Sequence, residues 1–269
     1  LMIETQEFEG VTQIRMSREV DGKPVYWVSA YLVDGMLVDT GCSHTSSELT
    51  GFLAGENIRF AVNTHYHEDH IGGNYDIMKK YGVDVYAHLD SIPLIGKRLD
   101  LYPYQEFAWG YPVPTTVKPV PPVIKTDHHE FAVIDTPGHC AGHICLAEFS
   151  KGWCFTGDLF ARETPKFIRP EENVGEIICS MNRLMDLPTE KIVLFTAVGK
   201  MIEDGRKTLQ TCVDYFSELA CKAKEMEKAG STPDDIVVRI FGGENAFAEL
   251  TNGQFSTYNL VHSLLKTVN

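Results

Sequence analysis

Short apolar runs bounded by turn-forming residues alternate with amphipathic segments over the first 205 residues of the chain. The apolar runs predict strands, and apolar positions that recur every three or four residues predict helices. Predicted strands lie at 11–17, 25–33, 59–63, 131–135, 152–156 and 191–195, and predicted helices lie at 45–54 and after a capping Asn173. This alternation predicts an α/β (α+β) fold in which two mixed sheets pack face to face with helices outside.

The pattern becomes helical after residue 205. Three segments with helical spacing follow, and Ser256 can cap the last of them. We therefore expect two parts, a catalytic domain over residues 1–205 and a C-terminal helical extension over 206–269 that packs on it.

The most informative stretch is Thr-His-Tyr-His-Glu-Asp-His at 64–70, directly after a predicted strand. Alternation along an extended chain points His65 and His67 the same way. Asp69 and His70 then turn toward a neighbouring point. One loop can therefore serve two metal ions roughly 3.5–4 Å apart.

Two more predicted strands lead into residues with similar chemistry. His139 follows the strand 131–135 through a Pro-Gly turn, and Asp158 follows the strand 152–156. Folds of the α/β class place their chemistry at strand ends, so we expect both residues to lie near the histidine loop.

The spacing His-x-His-x-Asp-His resembles the signature of the metallo-β-lactamase superfamily, and the other segments follow in that family's order between residues 25 and 205. The resemblance implies a four-layer αβ/βα sandwich. It also implies a set of metal ligands, which are His65, His67, Asp69, His70, His139 and Asp158. Asp158 would bridge two ions, and Asp39, at the end of the strand in the family's first motif, would buttress the site.

Two residues close to His139 have roles that the sequence leaves open. His143 is the second histidine of the family's third motif, where it supports a ligand or contacts the substrate as readily as it ligates, and we do not count it as a ligand. Cys140 occupies a position where relatives often carry threonine, so it can face the metal pocket. The plainer interpretation of Cys140 is a small buried apolar residue.

The fifth motif departs from the family pattern. Relatives carry a turn whose histidine completes the second metal site, and the turn here is Thr-Ala-Val-Gly-Lys at 196–200. Val198 therefore occupies the position of the expected histidine, and valine binds no metal. His262 is the only histidine after Asp158 in the sequence, and its helical context fits an ordinary, partly exposed residue better.

The count of remaining ligands indicates the cofactor. Three imidazoles remain for the first ion and leave one position for water, as a catalytic zinc site requires. Two carboxylates and one imidazole remain for the second ion, so we expect weaker zinc binding there. We therefore predict one or two Zn²⁺ ions as cofactor, and the same donors accept iron or manganese.

The resemblance implies a hydrolase that uses a metal-activated water to cleave an acyl bond in a thioester, lactone or related ester. Asp69 is the expected catalytic residue, which orients that water and takes up its proton. Two alternatives stay open. One is a mononuclear iron dioxygenase that acts on sulfur in a thiol or persulfide. The other is a non-catalytic binding protein with a degenerate second metal site, against which the retention of every other ligand argues.

Residues 89–125 interrupt the alternation with a segment rich in aromatic residues and proline. The corresponding family insertion lies near the active-site mouth. Its aromatic side chains are therefore candidates for an apolar substrate wall or a dimer surface, and equally for a cluster that only covers the core. These side chains are Tyr102, Tyr104, Phe107, Trp109 and Tyr111.

Composition limits the partners. The net charge of −13 without a basic run argues against nucleic-acid binding, and no apolar stretch reaches the about 18 residues of a membrane span. Seven cysteines without a Cys-x-x-Cys pair suit reduced thiols. We expect a cytoplasmic protein that acts on a small-molecule substrate, binds neither nucleic acid nor membrane, and can form a homodimer.

Overall fold

A computed structural model describes residues 2–267 of the chain. Its strands are β1 (Met2–Phe8), β2 (Val11–Ser17), β3 (Glu19–Val20), β4 (Lys23–Pro24), β5 (Val28–Val33), β6 (Met36–Val38), β7 (Phe60–Val62), β8 (Asp84–Ala87), β9 (Lys118–Pro119), β10 (Val123–Lys125), β11 (Glu130–Asp135), β12 (Ile144–Glu148), β13 (Trp153–Gly157), β14 (Val193–Thr196) and β15 (Met201–Ile202). Its α-helices are α1 (Ser46–Phe52), α2 (Glu68–Ile71), α3 (Asn74–Tyr81), α4 (Ile92–Ile95), α5 (Pro103–Ala108), α6 (Val174–Met185), α7 (Gly205–Lys228), α8 (Pro233–Phe241), α9 (Ala246–Leu250) and α10 (Thr257–Lys266).

The strands form two large mixed sheets. The first sheet has the order β1-β2-β5-β6-β7-β8-β9, and its strands are antiparallel as far as β6 and parallel beyond it. The second has the order β10-β11-β12-β13-β14-β15, in which only β13 and β14 are parallel. Strands β3 and β4 form a separate short hairpin.

The two sheets pack face to face through an aromatic core. Tyr31 of the first sheet meets Phe155 and Phe195 of the second edge-on, with ring centroids 5.4 and 5.5 Å apart. Buried residues of α1 and α3, such as Leu49 and Ile77, join the core on the outer side of the first sheet. Helices α6 and α7 cover the second sheet, so the predicted four-layer sandwich is confirmed.

The C-terminal helices share one core with the second sheet. Phe216 of α7, Ile236 of α8 and Leu260 of α10 are buried together with Ile177 of α6 and Leu194 of β14. Burial of this apolar surface fixes the helices on the sheet. Within residues 2–267, no helix is both long and apolar enough to cross a membrane.

Two helix caps lie where the sequence predicts them, whereas two strands differ from the prediction. The Asn259 N–H donates to Ser256 Oγ at 2.9 Å at the start of α10, and the Glu176 N–H donates to Asn173 Oδ1 at 3.2 Å at the start of α6. Strand β1 was not predicted, because it is an edge strand whose central residues are polar and exposed. Strand β5 begins at Val28, three residues later than predicted.

Candidate metal centre

Four loops meet at the candidate site, and each follows a strand: β6, β7, β11 and β13. The pairing of β13 with β14 shifts register between Phe155 and Gly157, immediately before Asp158. Gly157 adopts the left-handed conformation with φ of 49°, and a Cβ there would lie 2.7 Å from His143 Nε2. Glycine therefore allows this strand end to approach the histidines closely.

Asp39 ties the histidine loop to the end of β6. It is buried and accepts hydrogen bonds from the Thr64 N–H at 2.7 Å and the Thr64 hydroxyl at 2.8 Å. Its Oδ2 lies 2.7 Å from His70 Nδ1. Because a carboxylate only accepts, His70 Nδ1 carries a proton and donates it to Asp39, which leaves Nε2 facing the site. Asp39 therefore lies directly behind His70 and holds the histidine loop against the end of β6.

The first group of donors consists of three imidazoles. His67 Nδ1 lies 3.1 Å from His65 Nε2 and 3.0 Å from His139 Nε2. The outer nitrogen of His65 contacts the Thr64 hydroxyl at 3.0 Å, and that of His139 contacts Glu172 at 2.6 Å. These outer contacts place the ring protons of His65 and His139 outside, so their Nε2 lone pairs point toward His67 Nδ1.

The second group combines His70, Asp69 and Asp158. His70 Nε2 lies 3.5 Å from Asp158 Oδ2 and 3.8 Å from Asp69 Oδ1. Asp158 Oδ2 also lies 3.6 Å from His139 Nε2 and 4.0 Å from His65 Nε2. Asp158 therefore lies between the two groups, where a bridging ligand is expected.

The described residues fit a divalent cation. His70 Nε2 and Asp69 Oδ1 are both buried and have no hydrogen-bond partner within residues 2–267. A buried polar atom without a partner is costly, and a bound cation would satisfy both atoms. His65, His67 and His139 would hold one ion, and Asp69, His70 and Asp158 would hold the other.

Burial and neighbouring charges together govern protonation at the site. Burial lowers the pKa of His65 and His67 well below that of an ordinary histidine, and it raises the pKa of Asp69 to about 7. For Asp158, burial acts to raise the pKa, but the neighbouring His70 outweighs burial and holds the pKa well below its usual value. His65 and His67 therefore present neutral rings, which is the form that binds metal.

Two charged residues that the sequence did not reveal complete the surroundings of the site. Glu172 accepts from His139 and also from the Arg169 N–H, at 3.3 Å. Arg169 is 5% exposed, and its guanidinium lies 3.7 Å from Glu68 and 3.8 Å from Glu171. Both belong to an irregular segment before α6, where no motif or periodicity distinguishes them from surface charges.

His143 supports Asp158 and has no free nitrogen for a metal. The Asp158 N–H donates to His143 Nε2 at 3.2 Å, so the proton is on Nδ1, which contacts the Thr136 hydroxyl at 2.9 Å. Cys140 is buried, and its Sγ belongs to the group of His65, His67 and His139 donor atoms that lie within 4.8 Å of one another.

Val198 lies in the turn after β14 and lines the same cavity as Asp69 and Asp158. His262 is exposed on α10 and stacks on Tyr258 with centroids 6.2 Å apart. It takes no part in either group of donors.

A cavity opens onto Asp69, His139 and Asp158. Aromatic side chains form part of its wall, and cationic side chains form another part. The aromatic residues are Tyr26, Trp109, Phe167, Phe216 and Phe255, and the cationic residues are Arg162, Lys166 and Arg169.

The predicted aromatic segment contributes unequally to this wall. Trp109 lines the cavity, and Tyr104 packs against Trp109 and Phe255 with centroids 6.1 Å from each. Tyr102 and Phe107 are exposed, and Tyr111 lies under Arg98 at 4.4 Å. The cavity wall also contains Tyr26, Phe167 and Phe255, which the sequence did not indicate.

Comparison with known proteins agrees with this geometry. The model of the metallo-beta-lactamase superfamily matches residues 27–196, more than half of the chain. The chain belongs to this superfamily. Membership implies a divalent-metal site at the histidine-rich cluster.

Individual relatives of the superfamily are distant. A hydroxyacylglutathione hydrolase from Pelagibacter ubique (strain HTCC1062) is 26% identical over 168 residues, which are 59% of this chain and 62% of that protein. The chain therefore spans less than two thirds of this curated relative. A beta-lactamase domain protein from Burkholderia ambifaria has a TM-score of 0.74 at 16% identity, covering 97% of this chain and 86% of its own. A metallo-beta-lactamase family protein from Thermus thermophilus has a TM-score of 0.66 at 16% identity, covering 96% and 91%.

Proposed function

We propose that the protein is a metal-dependent hydrolase that cleaves an acyl bond in a thioester, lactone or related ester. The observation that carries this proposal is the pair of unpartnered buried atoms, His70 Nε2 and Asp69 Oδ1, beside a cavity that also reaches His139 and Asp158. A divalent ion bound there supplies an activated water and an electrophile for the carbonyl group.

The chain's own residues divide the remaining tasks. Asp69 lies at the cavity and has two carboxylate oxygens, so one can ligate the ion while the other orients the attacking water and holds the proton that this water loses. Asp39 and Glu172 fix the rings of His70 and His139 through contacts of 2.7 and 2.6 Å. No covalent intermediate with the chain is required, which suits substrates with good leaving groups.

The cavity wall favours an acyl substrate that has both an apolar part and an anionic part. Trp109, Phe167 and Phe255 offer apolar contact area. Arg169 offers spare donors, because its Nε has no partner within residues 2–267 and its nearest carboxylates lie beyond hydrogen-bond distance. The name of the Pelagibacter relative puts an acylglutathione thioester first among compounds to test.

The test is hydrolysis of a substrate panel by protein loaded with zinc, manganese or iron. The panel contains an acylglutathione, a lactone and an aryl ester, each assayed with metal-depleted protein as the blank. Asp69→Asn should lose turnover, and Asp90→Asn should keep it, because the Asp90 side chain is 69% exposed.

Each outcome of the panel is informative. Metal-dependent turnover of an acyl substrate supports the proposal. Oxygen uptake with a persulfide, without hydrolysis of the panel, would replace it by the dioxygenase alternative. A panel that no metal form hydrolyses, with no oxygen uptake either, would contradict enzymatic function and favour the binding protein.

A further inference from the structure

Cys140 differs from the other buried cysteines in its surroundings. Cys42 Sγ contacts the Thr45 hydroxyl at 3.3 Å, Cys145 Sγ donates to the Thr156 carbonyl at 3.6 Å, and Cys212 Sγ donates to the Arg162 carbonyl at 3.6 Å. The fourth, Cys154, lies beside Cys145, which raises the pKa of its thiol. Cys140, which is 5% exposed, has no hydrogen bond from its sulfur to any described residue. Its thiol is therefore buried without a partner.

The atoms nearest to this unpartnered sulfur are metal donors. The sulfur and the donor nitrogens of His65, His67 and His139 all lie within 4.8 Å of one another. Zinc takes nitrogen at about 2.0–2.1 Å and sulfur at about 2.3 Å, so a nitrogen and a sulfur at the tetrahedral angle on one ion are about 3.6 Å apart. The upper separation of 4.8 Å exceeds this spacing by about 1.2 Å, a gap that rotation about the single χ1 of cysteine can close.

The loop that carries Cys140 is held firmly in this position. The Asn173 N–H donates to the Gly138 carbonyl at 2.7 Å, and the Ser180 hydroxyl donates to the Pro137 carbonyl at 2.7 Å. A Cβ on Gly138 would lie 2.5 Å from the Ile177 backbone nitrogen, so the loop sits directly on α6. Packing of this loop on α6 therefore holds Cys140 close to the imidazoles.

We propose that Cys140 is the fourth protein ligand of the first metal ion and completes a three-histidine, one-cysteine site. Four protein donors at tetrahedral spacing are the arrangement of a closed zinc site, whereas a catalytic site keeps one position open. The first site then holds its ion tightly. The second site, which lacks a histidine at Val198 and has three protein donors, is the one open to water and substrate.

This inference rests on the histidine-rich metal centre and on no particular acyl substrate. Its test is therefore spectroscopic. Metal-depleted protein receives one equivalent of Co²⁺, and sulfur ligation produces an intense near-ultraviolet charge-transfer band. X-ray absorption at the zinc edge, on protein with one equivalent of zinc, measures the same contact as a sulfur scatterer at roughly 2.3 Å.

The variants are Cys140→Ser and, as a matched control, Cys179→Ser, which changes an exposed cysteine on α6. We expect the charge-transfer band in the wild type and in Cys179→Ser and its loss in Cys140→Ser. The first-equivalent affinity of Cys140→Ser should fall by at least about tenfold, since loss of even an outer-shell partner costs that much. Cys140→Ala, whose fold is checked by circular dichroism, should behave in the same way.

A wild-type spectrum with only nitrogen and oxygen scatterers would overturn the inference, and so would a band that survives in Cys140→Ser. Neither result depends on turnover. If acyl hydrolysis is present and sulfur ligation is absent, this inference fails and the proposed function stands. If sulfur ligation is present without any hydrolysis, the reverse holds, and failure to bind one equivalent of Co²⁺ contradicts both.

Discussion

Replacement of Glu172 by glutamine tests whether the histidine cluster is organised for metal binding. The Glu172 carboxylate accepts from His139 Nδ1 at 2.6 Å, and the side chain is 11% exposed. Glutamine keeps the shape and one acceptor oxygen but loses the charge. A charge-assisted hydrogen bond stabilises by about 1.5–3 kcal/mol and a neutral one by about 0.5–1.5 kcal/mol. The difference of about 1.4 kcal/mol corresponds to roughly a tenfold loss of metal affinity.

The assay is competition for zinc between the protein and a chromophoric chelator, with unfolding of the metal-free protein as a check on the fold. Glu171→Gln is the matched control, because Glu171 is the adjacent residue, 38% exposed, and its carboxylate lies 3.8 Å from Arg169. We expect Glu172→Gln to bind zinc about tenfold more weakly and Glu171→Gln to bind it normally. Equal affinities of Glu172→Gln and the wild type would refute the argument that this carboxylate supports a metal ligand.

Three further predictions concern the metal centre and the backbone packing around it. Val198→His should restore a ligand and raise the affinity for the second ion by at least about tenfold, measured by metal titration; an unchanged second affinity would show that the side chain points elsewhere. Asp69→Asn should lower kcat by about 10²–10⁴-fold at saturating metal, which compensates for the lost carboxylate ligand, and a smaller loss would remove its role in proton transfer. Gly72→Ala should destabilise the fold by roughly 3 kcal/mol in urea unfolding, because its Cβ would lie 2.2 Å from the Ser43 backbone nitrogen. Gly51→Ala on α1, where nothing lies within 4 Å, should instead be neutral or stabilising, and equal losses in both variants would contradict the packing argument.

The parts of the fold that the sequence predicts are those with strong apolar periodicity. The buried strands β7, β13 and β14 and the capped helix α10 belong to this class, because burial on one or both faces leaves a clear pattern. Strand β1 leaves no such pattern, since its central residues face solvent at the edge of the sheet. The short helices α4 and α5 are not predicted either, because one or two turns are too short for an apolar period to be recognised.

The candidate site likewise has residues that the sequence predicts and residues that it does not. The spacing around 65–70 indicates donor chemistry directly, and strand ends bring His139 and Asp158 to the same place. Glu172 and Arg169 reach the site only because the segment before α6 folds back over the histidines. That contact spans 33 residues for Glu172 and 102 for Arg169, and no local pattern encodes a contact of this range.

The central claim is that the cluster of histidines and aspartates is a metal centre. The most direct test is the metal content per chain of protein purified without added metal, measured by plasma mass spectrometry on the wild type and on His67→Ala. We predict one to two transition-metal ions per chain in the wild type and less than half of that content in His67→Ala. A wild-type protein free of transition metal, or equal contents in the two proteins, would contradict the account.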